Sequence, residues 1–182
     1  MKERKYKEDW INETRVDDQG RERRVPVYKG SFFALRRGQE KKKLLLSALL
    51  PWFAYLVLVI LYFRLDFPGA RVMYIFLPAA LSLFPCLYWA MGIWTLYRMP
   101  DRMTRLQKEN GIGRVLRSSV GCAIFSSAAL IGEIIFLLTG GNTTREWPGV
   151  LMLLAADMSA LFTLRAFRTV HNQLTEERSE PA

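Results

Sequence analysis

An apolar run from Ser119 to Gly140 contains one ionisable side chain, Glu133, and this combination limits the folds open to the chain. A helix of about 20 apolar residues crosses a hydrocarbon core about 30 Å thick, and ionisable residues inside such helices are rare and by default functional. In helical steps of three and four residues, Glu133 shares a face with small side chains, namely Ala129, Ser126, Cys122 and Ser119. Small residues allow close helix packing, so we expect this face to contact protein and not lipid.

Three further apolar runs accompany this one, and together they predict the fold class. The four runs are Leu44 to Phe63, Val72 to Tyr97, Ser119 to Thr139 and Val150 to Phe167. The last run gives the weakest signal because Asp157 interrupts it. We predict an all-α integral membrane protein, built as a bundle of four transmembrane helices.

Lys and Arg residues are distributed unevenly around these runs. The chain of 182 residues has a formal net charge of +9, and all but three of its 26 Lys and Arg residues lie in residues 1–43, in the loop 98–118 or near the C-terminal end. The exceptions are Arg64, Arg71 and Arg145, in the two other loops. Since cytoplasmic loops carry the excess of Lys and Arg, we predict a protein of the plasma (cytoplasmic) membrane, with both termini, the loop 98–118 and the tail 168–182 in the cytoplasm.

The basic N-terminal segment, residues 1–43, contains two patterns. Two β-prone runs, Trp10 to Val16 and Arg21 to Tyr28, flank a turn-like sequence, so we predict a β-hairpin over residues 10–28. Residues 31–43 combine Phe32 and Phe33 with a cluster of cations, which is typical of a segment in the membrane interface. The cations expected to contact anionic lipid head groups are Arg36, Arg37, Lys41, Lys42 and Lys43. The same cluster also acts as an orientation signal for the first span.

Glu133 and Asp157 are the two acids inside the runs. If the third span runs outwards and the fourth returns from Pro148, their depths below the outer membrane boundary differ by about 5 Å, or about one helical turn. Close carboxyl groups in a low dielectric share a proton or hold a cation, so the two acids are a candidate intramembrane proton or cation site. In the alternative they are structural: Glu133 reaches the outer interface, and Asp157 bonds a hydroxyl such as that of Ser159 or pairs with one of the arginines of the outer loops.

No motif indicates catalysis, a cofactor or a metal site. The single histidine is His171, and the two cysteines, Cys86 and Cys122, lie in apolar runs. Neither a nucleophile beside a base nor a set of metal ligands is therefore indicated. An enzyme acting on lipid would need polar residues clustered at one membrane face, and no recognisable spacing of that kind occurs.

The leading functional hypothesis is a non-enzymatic multi-pass membrane protein, without a cofactor, that serves as an accessory subunit or regulatory scaffold. Its basic cytoplasmic face would contact anionic lipid or a partner protein, which includes a second copy of the chain. Nucleic acid is disfavoured as a partner because the cations flank apolar runs. The alternative is a small oligomeric component of a proton- or cation-coupled transporter or channel that uses Glu133 and Asp157.

Overall fold

The computed structural model describes residues 10–16, 22–34, 41–65, 67–100, 102–140 and 143–177. The described chain is mostly helical. Four helical segments are long and apolar enough to cross a membrane: Lys41–Arg64, Met73–Arg98, Arg105–Leu138 and Arg145–Asn172. The prediction of four helices with the length and composition of membrane spans is confirmed.

Six helices make up these segments, because the second and third spans are each divided. They are α1 (Lys41–Arg64), α2 (Met73–Leu81), α3 (Leu83–Arg98), α4 (Arg105–Asn110), α5 (Ile112–Leu138) and α6 (Thr143–Gln173). The division of the second span at Ser82 has a chemical cause. Pro85 lacks a backbone N–H, and its ring clashes with the carbonyl four residues earlier, that of Leu81, where α2 ends.

The last helix is longer than the apolar run that predicts it. It begins at Thr143 and not at Val150, and it continues to Gln173. Pro148 falls in its second turn, where it removes a single backbone hydrogen bond, so the helix forms through it. Because the helix starts before the apolar run, each of its residues lies further along the helix axis from the first helical residue than the run predicts.

The long helices form a four-cornered bundle. α1 packs against α6 and α3, and α5 packs against α6, α2 and α3. Large side chains fill the interior, of which Tyr55, Trp89 and Phe167 are fully buried. We call the end of the bundle where α1 and α5 finish the loop end, and the opposite end the sheet end.

The predicted hairpin is present at the sheet end. β1 (Trp10–Val16) and β2 (Glu22–Tyr28) pair antiparallel, with Trp10 opposite Tyr28. Tyr28 anchors the base of the hairpin: its ring packs edge-on against Phe32 at 5.1 Å between centroids, and its hydroxyl accepts a hydrogen bond from the backbone N–H of Arg105. The predicted turn residues, 17–20, lie outside the described residues.

A second sheet was not predicted. β3 (Phe32–Ala34) lies between β4 (Arg102–Thr104) and β5 (Thr175–Glu177) and pairs antiparallel with both. The location of Phe32 and Phe33 in the membrane interface stays a prediction; both side chains are half-buried, and Phe33 packs against the core. The three strands come from the N-terminal segment, the middle loop and the C-terminal tail, so all three segments lie at one end of the bundle.

Candidate functional site

The small-residue face of α5 is buried, as predicted. Its members are all at most 2 % exposed: Ser119, Cys122, Ser126, Ala129 and Glu133. Two polar side chains on this face have partners on other helices: Glu133 accepts from Tyr62 of α1, and Ser126 donates to Asp157 of α6. The face therefore forms the interior of the bundle and brings its acid into contact with other helices.

Glu133 lies near the loop end of the bundle, about 8 Å along α5 from its last residue. Its Oε2 accepts a 2.8 Å hydrogen bond from the hydroxyl of Tyr62 on α1. The carboxyl also lies against Gly69, in the short 3-10 turn Gly69–Arg71. A Cβ atom at Gly69 would lie 2.6 Å from Oε1 and 2.7 Å from Cδ of Glu133, so any other residue here would require the Glu133 carboxyl or the turn to move.

Glu146 is the second carboxyl of this site. It lies in the first turn of α6, and both Glu133 and Glu146 are 0 % exposed. The backbone N–H of Gly69 donates to both carboxyl oxygens of Glu146, at 3.3 Å each. The Glu133 carboxyl lies against the same glycine. The two acids thus meet beside the Gly69 backbone.

Hydropathy alone gives no reason to connect Glu146 with Glu133, because the apolar run that predicts the fourth span begins after Glu146. With the helix starting at Thr143, Glu146 lies about 5 Å along α6 from its first residue, a depth close to that of Glu133. The signal that could have found the pair is the position of Glu146 two residues before Pro148. A helix tolerates proline near its start, so the fourth helix can begin before Pro148 and include Glu146.

Asp157, the predicted partner of Glu133, lies elsewhere. Its Oδ1 accepts hydrogen bonds from the hydroxyls of Ser126 and Ser127 on α5, at 2.7 and 3.1 Å. These serines precede Glu133 by nearly two turns, or about 10 Å along the helix axis. The structure therefore separates the two predicted acids. The hydroxyl of Ser159, suggested as a partner of Asp157, donates instead to the carbonyl of Ala155.

The predicted lipid-contacting cations have different environments. Lys41 is half-buried and donates a hydrogen bond to the carbonyl of Met99, so it ties the start of α1 to the middle loop. Lys42 and Lys43 are exposed on the first turn of α1. Arg36 and Arg37 lie outside the described residues.

An apolar groove opens between α1 and α3 on the side of the bundle nearer the sheet end. Its volume is about 380 Å³, and its lining residues are Leu45, Leu49, Trp52, Ala90, Ile93, Trp94 and Tyr97. Lys42 lies within one turn of Leu45, and Arg98 follows Tyr97 and stacks on the Trp94 ring at 4.5 Å. The groove is thus apolar along its length and adjoins cations at one end.

Among the described residues, the site around Glu133 brings together two carboxyls, the hydroxyl of Tyr62 and the backbone N–H of Gly69. In the part of the chain that the structure describes, no group of three or more His, Cys, Asp or Glu side chains is placed to hold a metal ion. This arrangement suits hydrogen bonding and the binding of a proton. It does not supply the several anionic or imidazole ligands with which proteins bind transition metals.

No protein-family model matches the chain, and neither a curated protein nor a solved structure matches it. Its function is therefore inferred from its own residues and their geometry.

Proposed function

We propose that this chain is a non-enzymatic, membrane-embedded adaptor, an accessory subunit or regulatory scaffold, whose sheet end faces the cytoplasm and contacts anionic lipid and a partner protein. One observation carries the proposal: β3, β4 and β5 hold three basic segments together at a single end of the bundle. The exposed cations of that end, which we call the basic surface, include Lys29, Lys42, Lys43, Arg98, Arg105, Arg117, Arg165 and Arg168. The loop end exposes Arg64, Arg71 and Arg145.

An anionic phospholipid suits the sheet end because the groove between α1 and α3 adjoins its cations. With the sheet end in the cytoplasm, the groove opens among the acyl chains of the inner leaflet, where anionic lipids are enriched. In the proposed complex one acyl chain lies in the groove, and the head-group phosphate contacts Lys42 and Arg98. Each such cation contributes about 1 kcal/mol to the attraction for an anionic surface.

A partner protein suits the hairpin, which is a two-stranded sheet with exposed apolar side chains. Trp10 and Ile11 of β1 are 46 % and 47 % exposed, and Val25 of β2 is also exposed. A hairpin of two strands has marginal stability in water unless it packs against another surface. The exposed apolar side chains therefore favour a contact with a protein in the assembled state. The anchor at Tyr28 fixes the base of the hairpin next to the basic surface.

The transporter alternative receives less support from the packing. It relies on Glu133 and Asp157 acting together, and the two have separate hydrogen-bond partners. Between the acids and the sheet end, Tyr55, Trp89 and Phe167 fill the interior of the bundle. Such a filled core is typical of a structural bundle. Because it leaves no room for a solute among the described residues of one chain, a solute path would have to form between copies of the chain.

Native mass spectrometry of the purified protein tests the lipid contact, with phosphatidylglycerol and phosphatidylcholine as competing probes. We expect preferential binding of phosphatidylglycerol, and a loss of roughly fivefold in its affinity for each of Lys42→Gln and Arg98→Gln. Arg145→Gln, at the loop end, is the matched charge control and should leave the affinity unchanged. Equal binding of the two lipids, or an equal effect of all three substitutions, contradicts the proposed lipid contact.

Crosslinking in native membranes, followed by purification in mild detergent, tests the partner contact. We expect a crosslinked species that contains a second protein and is lost in the double variant Trp10→Ser/Ile11→Ser. Met73→Ser, an exposed apolar position on α2, is the control and should retain the species. A chain that remains an uncrosslinked monomer in its native membrane contradicts the adaptor role.

A further inference from the structure

We propose that Glu133 and Glu146 hold one proton between them, so that this buried carboxyl pair is a proton-binding site at the loop end of the bundle. The proton would come from water and return to it, with no other bond made or broken. This site is separate from the basic surface, and it differs from the Glu133 and Asp157 pairing that the sequence suggests.

Both carboxyls are 0 % exposed, and both lie against the same residue, Gly69. The oxygens of Glu146 accept from the Gly69 backbone N–H at 3.3 Å, and the Glu133 carboxyl occupies the space beside the Gly69 Cα. Two negative charges packed against one residue in a low dielectric repel, and burial penalises each of them further. Neighbouring carboxyl groups in this situation ionise as a pair, and one proton remains shared between them.

The pair accepts hydrogen bonds from two other elements of the fold. Tyr62 donates to Oε2 of Glu133, and the Gly69 N–H donates to Glu146. Oε1 of Glu133 is buried and receives no hydrogen bond from any group among the described residues. Two ionised carboxylates are acceptors only, whereas one protonated carboxyl is a donor. A single proton on the pair supplies the donor that the site lacks.

Other charged and titratable groups lie near the pair at the loop end. Arg64 and Arg145, which are close in sequence to Tyr62 and Glu146, have exposed side chains, whereas the carboxyl pair is fully buried. Tyr62 is the titratable neighbour from α1, and Asp157 on α6 is held by two serine hydroxyls about 10 Å away along α5. Gly69 completes the site because any Cβ there would require the Glu133 carboxyl or the turn to move.

The proton has a structural consequence. Glu133 belongs to α5, Glu146 to α6, Tyr62 to α1 and Gly69 to the turn before α2, so the site links three helices and this turn at the loop end. With the proton bound, the two acids attract each other through a hydrogen bond. When the proton leaves, the same acids repel, which loosens the loop end.

Infrared difference spectroscopy of the full chain in lipid nanodiscs tests the site, because a protonated carboxyl has its own carbonyl stretching band. We expect this band near neutral pH in the unsubstituted protein, with a shift on exchange into heavy water. It should be lost in Glu133→Gln and in Glu146→Gln, since the glutamine amide donates to the remaining carboxylate and leaves it ionised. Asp157→Asn and Tyr62→Phe should both retain the band.

The outcome is decisive even if one glutamine variant does not fold. The other variant and Asp157→Asn then decide the assignment, with circular dichroism as the check on helix content. Absence of the band from the unsubstituted protein, its survival in a folded Glu133→Gln or Glu146→Gln protein, or its loss in a folded Asp157→Asn protein overturns the proposal. Replacement of choline chloride by sodium chloride should leave the band unchanged, and its disappearance would assign the site to a metal cation instead.

Discussion

The hydroxyl of Tyr62 donates a 2.8 Å hydrogen bond to Oε2 of Glu133 and so joins α1 to α5 across the interior of the bundle. Both side chains are 0 % exposed, and α1 and α5 otherwise pack mainly on the helices between them. The bond therefore connects two opposite corners of the bundle at its loop end.

Removal of this bond should destabilise the protein. We expect Tyr62→Phe to lower the free energy of unfolding by about 1–3 kcal/mol, because a buried carboxyl loses a donor while the ring packing is kept. Thermal unfolding of the protein in detergent measures the effect. Tyr74→Phe, at an exposed position of α2, is the matched control and should change little. Equal stability of the two variants would show that the Tyr62 hydroxyl contributes nothing.

Gly69→Ala should also destabilise the loop end. The added methyl would lie 2.6 Å from Oε1 of Glu133, so the carboxyl or the turn must move, at a cost of roughly 1–3 kcal/mol. Gly113→Ala is the control, because the nearest atom to a Cβ there is 3.5 Å away and alanine favours the helix. Chemical unfolding should therefore give a lower free energy of unfolding for Gly69→Ala, and an unchanged or higher one for Gly113→Ala. A neutral Gly69→Ala would show that the contact with Glu133 relaxes without cost.

Asp157 should depend on the hydroxyl of Ser126. Ser126→Ala removes the donor at 2.7 Å and should cost about 1–3 kcal/mol, whereas Ser159→Ala should stay within about 0.5 kcal/mol because Ser159 bonds its own helix. The double-mutant cycle of Ser126→Ala with Asp157→Asn measures the coupling, which we expect at about 0.5–3 kcal/mol. A coupling of zero would mean that Ser126 and Asp157 stabilise the bundle independently.

Features set by short-range periodicity could be predicted from the sequence. The spacing of Glu133, Ala129 and Ser126 defines one helix face whatever surrounds it, and all three residues are buried. The hairpin follows from two β-prone runs around a turn, which are neighbours in the chain. Both predictions need only the geometry of one local element.

Features set by tertiary contacts could not be predicted in the same way. Glu146 precedes the apolar run, so hydropathy assigns it to a loop, although it lies in a helix and is buried. The strands β3, β4 and β5 have three residues each and pair across distant parts of the chain, which leaves no periodic signal. The packing of Phe33 against the core likewise depends on these pairings and leaves no local signal in the sequence.

The orientation of the bundle can be tested with single cysteines that preserve every charge. Thr139→Cys is exposed at the loop end, and Leu106→Cys lies at a position 37 % exposed on α4, at the sheet end. Because most Lys and Arg residues lie at the sheet end, we expect a membrane-impermeant maleimide to label Thr139→Cys in intact cells and Leu106→Cys only after permeabilisation. The unsubstituted protein should stay unlabelled, since both native cysteines are buried. Labelling of Leu106→Cys in intact cells would place the basic surface outside and remove the cytoplasmic leaflet as its lipid partner.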